Sequence, residues 1–307
     1  MSAPIVIFAY RRPAHLKRTL NSLMQCNGFA DSPVIVYCDG PKTLKEKKAT
    51  DAVRQVATSL LGTKAQYHYK DTNIGLSQSI ILGVSEVLQR YGRAIVVEDD
   101  LRLAPNFLSY MNQALERYAL EEKIFQISAY MFNVRELSAR SEGLFLPFTV
   151  SWGWATWQRA WNNFDLQAKG WDQLQVDHEL RRRFNLDGNY NYAQMLENQM
   201  SNRIDSWAIR WYWSVFRAGG RVLFPPRSLV KNIGMDGSGT HGRGILSHYR
   251  SKDVWPGKIH MPLSIELDAD AFRWVKKSIW YQNGGWLQFV KAQFRNFLYD
   301  LKIEHRD

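Results

Sequence analysis

Ala94-Ile95-Val96-Val97-Glu98-Asp99-Asp100 runs four apolar residues without a break into three carboxylates. A short, continuous apolar run bounded by polar residues is the pattern of a strand buried on both faces, as in a parallel sheet. The upstream sequence repeats it. Pro4–Ala9 (PIVIFA) stops at Tyr10-Arg11-Arg12-Pro13, Val34–Cys38 (VIVYC) stops at Asp39-Gly40-Pro41, and Gln66–Lys70 is a third strand before Asn73. Helical spacings lie between them. Leu16, Leu20 and Leu23 follow Pro13, then come Val53, Val56, Leu60 and Leu61. Leu76, Ile80, Val84 and Leu88 follow Asn73 and Gly75. Strand–helix alternation of this kind implies an α/β fold with a mostly parallel sheet flanked by helices. Ligands of such sheets bind beyond the carboxyl ends of the strands. Arg11 and Arg12, Asp39, Asn73 and the three acids all fall there.

After Ile124–Ser128 the alternation fades. Trp154, Trp157 and Trp161 are spaced i, i+3 and i+7, which predicts a helical core face, while Trp152 stands outside that spacing as a candidate sugar-pocket floor. A strand is expected at Arg221–Phe224, followed by a Gly-rich loop at Gly234–Gly244. Near the end, Trp286, Leu287, Val290, Phe294, Phe297, Leu298 and Leu301 fill one arc of a helical wheel, bordered by Lys291, Arg295 and Lys302. That amphipathic helix, 286–303, suits either docking on its own domain or lying in an anionic membrane surface, and Arg273, Trp274, Lys276, Lys277, Trp280 and Tyr281 extend the basic, aromatic character upstream. There is no internal repeat, low-complexity tract or linker.

The whole-chain totals exclude several classes. With 307 residues, 45% hydrophobic and 22% charged, the chain is globular, and a mean hydropathy of −0.37 goes with no apolar run near the ~18 residues that span a bilayer. Met1-Ser2-Ala3-Pro4 carries no basic n-region, so no secretory signal is expected, and Cys26 and Cys38 alone make neither a disulfide scaffold nor a four-ligand zinc site. These features predict a soluble protein of a reducing compartment. Lys+Arg 40 against Asp+Glu 29 leaves +11, a field that attracts polyanions: nucleotide phosphates, nucleic acid or an anionic membrane.

Three adjacent carboxylates ending a buried strand repel one another unless a cation offsets them. Oxygen ligation of this kind suits Mn²⁺ or Mg²⁺, which take one or two carboxylates plus substrate phosphates. Strand alternation places Glu98 and Asp100 on one side and Asp99 on the other. The plainer alternative is a solvated turn leading to a helix opening near Pro105. A P-loop reading fails, since no GxxxxGK[ST] segment lies upstream. Gly237-Ser238-Gly239-Thr240-His241-Gly242 matches GxGxxG far from the first strand, so it reads as a loop able to close over a diphosphate or as an ordinary surface loop. Asp39 serves base recognition or simple turn chemistry, and Arg11 and Arg12 hold phosphates or belong to the basic surface. The seven His form no HxxxH pair or Cys/His cluster; His241 alone, inside the Gly-rich loop, is a candidate metal or phosphate contact.

Together these segments resemble GT-A-fold (Rossmann-like) glycosyltransferases, most closely the N-acetylglucosaminyltransferase I type and related bacterial sugar transferases. The matching pieces occur in order: PIVIFAYRRP, VIVYCDG, NIGLSQSIILGVSEVL, IVVEDDLRLAPNFLSYM, QISAYMFN, SWGWATW and Ile204-Asp205-Ser206-Trp207. They cover roughly residues 4–240. The resemblance implies that EDD stands in place of DXD, with Asp100 ligating Mn²⁺ or Mg²⁺, Asp99 contacting ribose and Glu98 the donor sugar. It further implies that Asp39 binds the base, that Arg12 (or Arg11) and Ser77 help hold the nucleotide, and that Ser238 nears the phosphates. Asp205 would be the catalytic base of an inverting transfer; Asp172, Asp177, Glu197 and Asp236 lie in the same half. The implied domain is 1–245, with a nucleotide-sugar half (1–130) and an acceptor half (131–245), followed by a helical, aromatic and basic extension (246–307). The implied donor is a nucleotide diphosphate sugar, UDP-linked with UDP-GlcNAc as one candidate, making the chain a hexosyl- or N-acetylhexosaminyltransferase acting on a glycan or lipid-linked acceptor. Without the membrane anchor and cysteines of the animal enzymes, the sequence points to a cytoplasmic or peripheral inner-membrane enzyme of surface polysaccharide synthesis. Two other readings stand beside it: a nucleic-acid binder, for which no RNP, zinc-finger or helix-turn-helix signature exists, and a nucleotidyltransferase.

Overall fold

The computed structural model describes residues 2–234, 236 and 253–282. Strand β1 (Ile5–Ala9), helix α1 (Pro13–Met24), β2 (Val34–Cys38), α2 (Lys47–Leu61), β3 (Ala65–Tyr69), α3 (Leu76–Tyr91) and β4 (Arg93–Glu98) follow one another as the sequence predicts. Every residue of β1 and β2 is buried, as are the central residues of β4, which is why these strands read as unbroken apolar runs. β3 forms the sheet edge and is correspondingly half-exposed. Helix α3 departs from expectation at its start. Ile80, Val84 and Leu88 are buried, but Leu76 is 47% exposed. Successive steps of four residues drift about 40° around a helix, so four such positions do not share one face.

Next come β5 (Leu101–Leu103), α4 (Phe107–Arg117), β6 (Ile124–Ser128), β7 (Leu144–Leu146), β8 (Trp154–Trp157), α5 (Gln158–Trp161), α6 (Gln173–Val176) and α7 (His178–Phe184). The described chain finishes with α8 (Tyr192–Met200), α9 (Trp207–Arg217), β9 (Arg221–Phe224), β10 (Val230–Asn232) and α10 (Ala269–Gln282). The main sheet has eight strands in the order β3-β2-β1-β4-β8-β6-β9-β7. β8 runs antiparallel to β4 and β6, and β7 antiparallel to β9; the other pairings are parallel. The expected mostly parallel sheet flanked by helices is therefore present. The Trp-rich segment is a correction: Trp154 and Trp157 belong to a strand and only Trp161 to a one-turn helix. All three are buried, Trp154 stacking on Trp207 at 5.0 Å and Trp157 donating from Nε1 to the Leu115 carbonyl at 3.0 Å. Their spacing fits both periodicities over so short a stretch.

Two features position the carboxyl edge. β5 and β10 pair antiparallel as a separate ribbon, Arg102 opposite Lys231, which draws residues 230–234 across the turn after β4. Residues 253–282 pack on the same body. Ile259, Ala271, Val275 and Ile279 are buried in the common core, Tyr118 donates to the Pro262 carbonyl, and Arg140 pairs with Asp268 at 2.6 Å. The amphipathic helix predicted at 286–303 lies outside the described residues. Among the described residues, no helix is long and apolar enough to cross a membrane.

Candidate active site

β4 ends at Glu98, and Asp99–Asp100 form a turn instead of continuing the strand. The expected alternation of the three acids therefore fails beyond Glu98. Arg12 draws Asp99 and Asp100 together: its Nη2 lies 2.7 Å from Asp99 Oδ1 and 2.8 Å from Asp100 Oδ2. The backbone is pinned as well. Thr19, fully buried on α1, donates through Oγ1 to the Asp99 carbonyl (2.8 Å) and accepts from Leu101 N (3.1 Å), and Ile233 N donates to the Asp100 carbonyl (2.8 Å). Arg11 points elsewhere, to an ion pair with Glu46. The structure thus separates the two arginines that the sequence leaves as alternatives.

One guanidinium faces three carboxylates in a buried setting, so negative charge is in excess. Burial pushes Glu98 up to about 8, with the Asp100 and Asp99 charges adding to the rise. Asp99 is also raised, because burial outweighs the Arg12 charge beside it. Burial alone would lower Arg12, yet the two carboxylates hold it above its ordinary value. Buried groups tuned in this direction favour an incoming cation.

Gly234 closes over this cluster. A Cβ built there would collide with Asp100 Oδ2 and lie 2.6 Å from Arg12 Nη1. The Arg12 guanidinium is held to Asp100 Oδ2 through its other nitrogen, Nη2, so neither group can yield freely. Gly234→Ala is expected to cost about 1–3 kcal/mol, the usual range for overpacking, and, by displacing Asp100, to weaken the nucleotide binding that the resemblance implies. Melting temperature and nucleotide affinity measured side by side check this; an unchanged pair of values would remove Gly234 from the site.

Asp39, at the end of β2, is 7% exposed. Its Oδ1 accepts from Gly40 N (2.8 Å) and Ile74 N (2.9 Å), and its Oδ2 from Asn73 Nδ2 (2.7 Å) and Gly75 N (3.0 Å). The carboxylate thereby fixes the turn entering α3, where Gly75 (φ +87°) adopts a backbone few other residues tolerate. Gly40 is required too, since a Cβ there would strike the Thr72 backbone.

Asp205 comes from 130 residues downstream to the same place. Its Oδ2 would lie 3.4 Å from a Cβ on Gly75, and its Oδ1 is 3.9 Å from Arg210 Nη2. Arg210 Nη2 in turn donates to Ser77 Oγ at 2.7 Å. Asp205 itself remains largely exposed, while the next residue, Ser206, caps α9 by accepting from Ile209 N. Of the competing acids, Asp177 caps α7, Glu197 pairs with Arg203, and Asp236 lies 3.0 Å from His15 Nε2. Sequence reasoning missed Arg210. Its signal was available: it is the lone charge before Arg217 in the apolar run Trp207–Phe216.

Trp152 lines a cavity of about 200 Å³ with Tyr130, Tyr190, Tyr192, Trp207 and Ile279. It meets Tyr130 edge-to-face at 4.7 Å. Trp152 lies just before β8, whose Trp154 pairs with Val96 of β4. Ser238 and His241, with the loop Gly237–Gly242, lie outside the described residues. Among the described residues, no group of three or more His, Cys, Asp or Glu side chains is arranged to hold a metal.

The sequence matches the GNT-I family over residues 1–188, well over half the chain and spanning every strand-end residue from Arg12 to Trp152. The chain belongs to the GNT-I family. GNT-I membership makes it a GT-A glycosyltransferase that uses a nucleotide-sugar donor. Among solved structures, it is similar to a mannosyltransferase from Pyrobaculum calidifontis in complex with GDP-Man and Mn²⁺ (11% identity, TM-score 0.40, 71% of this chain and 70% of that one). It is also similar to the galactosyltransferase LgtC in complex with donor and acceptor sugar analogs (9% identity, TM-score 0.35, 72% of each chain). A cytidylyltransferase from Leptospira borgpetersenii shares 13% identity at a TM-score of 0.32, over 52% of this chain and 61% of that one. At such scores the GNT-I assignment rests on the family match and not on these neighbours.

Proposed function

We propose that this chain is a metal-dependent, inverting glycosyltransferase that moves a sugar, N-acetylglucosamine foremost, from a UDP-linked donor to a glycan or lipid-linked acceptor in surface polysaccharide synthesis. The observation that carries the reading is the convergence of Asp99 and Asp100 on Arg12 at the end of β4, with Asp205 brought to the start of α3. Asp100 offers a single buried carboxylate in a site with negative charge to spare. That donor set fits Mn²⁺ or Mg²⁺, hard cations that take their remaining ligands from phosphates and water. When bound, such a cation supplies Lewis-acid stabilisation of the departing diphosphate.

The protein groups perform the rest. Asp99, held by Arg12 and Tyr10 N, accepts from a ribose hydroxyl in this reading. Glu98 and the aromatic cavity behind Trp152 suit a sugar ring, whose C–H face packs on indole. Asp205, exposed and facing solvent, takes the proton of the acceptor hydroxyl as that oxygen attacks the anomeric carbon from the side opposite the diphosphate. Arg210 keeps a cation near Asp205 and ties it to Ser77 on the nucleotide side. The net charge of +11 and the basic stretch 273–281 support a peripheral encounter with an anionic membrane on the cytoplasmic side, which failure of the full chain to float with anionic liposomes would remove.

Incubation with UDP-GlcNAc, Mn²⁺ and candidate acceptors tests the reaction. Release of UDP with a β-linked product from the α-linked donor is expected. An α-linked product would contradict the inverting assignment, and pyrophosphate release from a nucleoside triphosphate would favour the nucleotidyltransferase.

A further inference from the structure

We propose that a basic cleft between α1 and the β5–β10 ribbon is an anion site that binds a phosphate monoester, apart from the acids at the end of β4. The cleft encloses about 380 Å³, within the ~300–1,000 Å³ range of small-molecule sites. One wall is α1, from which Arg18, Asn21, Ser22 and Gln25 face it at i, i+3, i+4 and i+7, a single helical face. The ribbon forms the other wall, with Arg102, Lys231 and Ile233. Among the described residues, this lining holds three cations and no acid.

The ribbon register makes the charge excess specific. Arg102 and Lys231 stand directly opposite each other, while Leu101 and Leu103 are buried on the other face. Like charges so placed destabilise an antiparallel pair unless an anion offsets them. Asp253 supplies part of that offset, with Oδ1 2.6 Å from Arg102 Nη2 and 3.6 Å from Lys231 Nζ. Its side chain is 80% exposed and outside the lining, and it sets one charge against three.

Hydrogen-bond donors are in surplus as well. Arg102 Nε is buried without a partner, and among the described residues Arg18 donates only from Nε, to the Ala14 carbonyl at 3.3 Å. Each guanidinium carries five N–H donors in a planar fork that meets phosphate oxygens two at a time. Three cations less one acid leave two positive charges. A phosphate monoester, with nearly two negative charges at neutral pH, balances them; a single carboxylate does not. Rising 1.5 Å per residue, α1 carries Gln25 roughly 20 Å from Arg12, so the cleft leads away from the acid cluster. It still touches the turn of that cluster at one point, because Ile233 lines the cleft and holds the Asp100 carbonyl through its N–H.

Calorimetric titration of the full chain with inorganic phosphate, in EDTA, tests the site. Arg102→Gln and Lys231→Gln are each expected to weaken binding about tenfold, the worth of one charge-assisted hydrogen bond. Both side chains are partly exposed, so neither variant should unfold. Asp253→Asn should tighten binding by removing the competing carboxylate. Lys123→Gln removes an exposed charge ahead of β6 and should leave the affinity within about twofold, since distant charges are screened. Flotation with vesicles of phosphatidic acid in phosphatidylcholine separates the two sources of such a phosphate. Flotation lost in Arg102→Gln and Lys231→Gln marks a lipid headgroup, whereas flotation that they leave unchanged, with phosphate affinity lost, marks a free phosphate compound. Two variants that change neither readout, or an equal loss in Lys123→Gln, overturn the proposal. So does phosphate binding that Arg12→Gln abolishes and Arg102→Gln spares, which belongs to the acid cluster.

Discussion

Replacing Asp205 by Asn is expected to lower kcat by about 10²–10⁴-fold, the range that a positioned general base contributes. The substitution keeps the shape of the side chain and removes its capacity to take a proton. Little else should change. Asp205 is mostly exposed, the α9 cap belongs to Ser206, and the Arg210–Ser77 bond does not involve the carboxylate. Donor affinity and melting temperature should therefore stay near the wild-type values while turnover falls. A kcat within threefold of wild type would transfer the base role elsewhere in residues 131–245. Asp236 would be examined next, since it stands near α1 beside His15.

The second large effect is expected at Asp100. Asp100→Ala should abolish metal-dependent nucleotide binding and reduce turnover by roughly 10³-fold, corresponding to the several kcal/mol that a bound cation contributes. Its effect on stability should run the other way from that of most buried substitutions. Asp99 and Asp100 share one guanidinium, and Arg12 would keep Asp99 as its partner. Deleting Asp100 relieves like-charge repulsion, so the melting temperature is expected to hold or rise in metal-free buffer. A variant that unfolds would show that Asp100 serves mainly to hold Arg12 and the 232–234 segment.

The fold was readable wherever burial on two faces leaves an unbroken apolar run. β1, β2 and β4 are of this kind, and each hands a polar residue to the crevice at its end. What the sequence hid lies in contacts between distant segments. β5 and β10 are three residues each, too short for any periodicity, yet their pairing lays Gly234 over Asp100 across 134 residues of chain. The acids looked like an alternating strand because nothing local marks where β4 stops; the Thr19 hydroxyl and the Ile233 amide, both far off in sequence, shape the turn. Trp154, Trp157 and Trp161 gave the right burial with the wrong element. Asp39 is the most instructive residue. Its type and place are legible in the sequence, whereas the donors that hold its carboxylate, Gly40 N, Asn73 Nδ2, Ile74 N and Gly75 N, are not, because three of them lie beyond the next strand.

The central claim is that the cluster of Glu98, Asp99 and Asp100 at the end of β4 binds a nucleotide sugar through a divalent cation. Thermal unfolding of the full chain, with a panel of nucleotide sugars in Mn²⁺, Mg²⁺ or EDTA, tests it most directly, because a ligand that binds the folded state raises stability by RT ln(1 + [L]/Kd). The account predicts a rise in melting temperature with one UDP-linked sugar that disappears in EDTA and in Asp100→Ala. The same rise in EDTA, or an equal rise in Asp100→Ala, would contradict it.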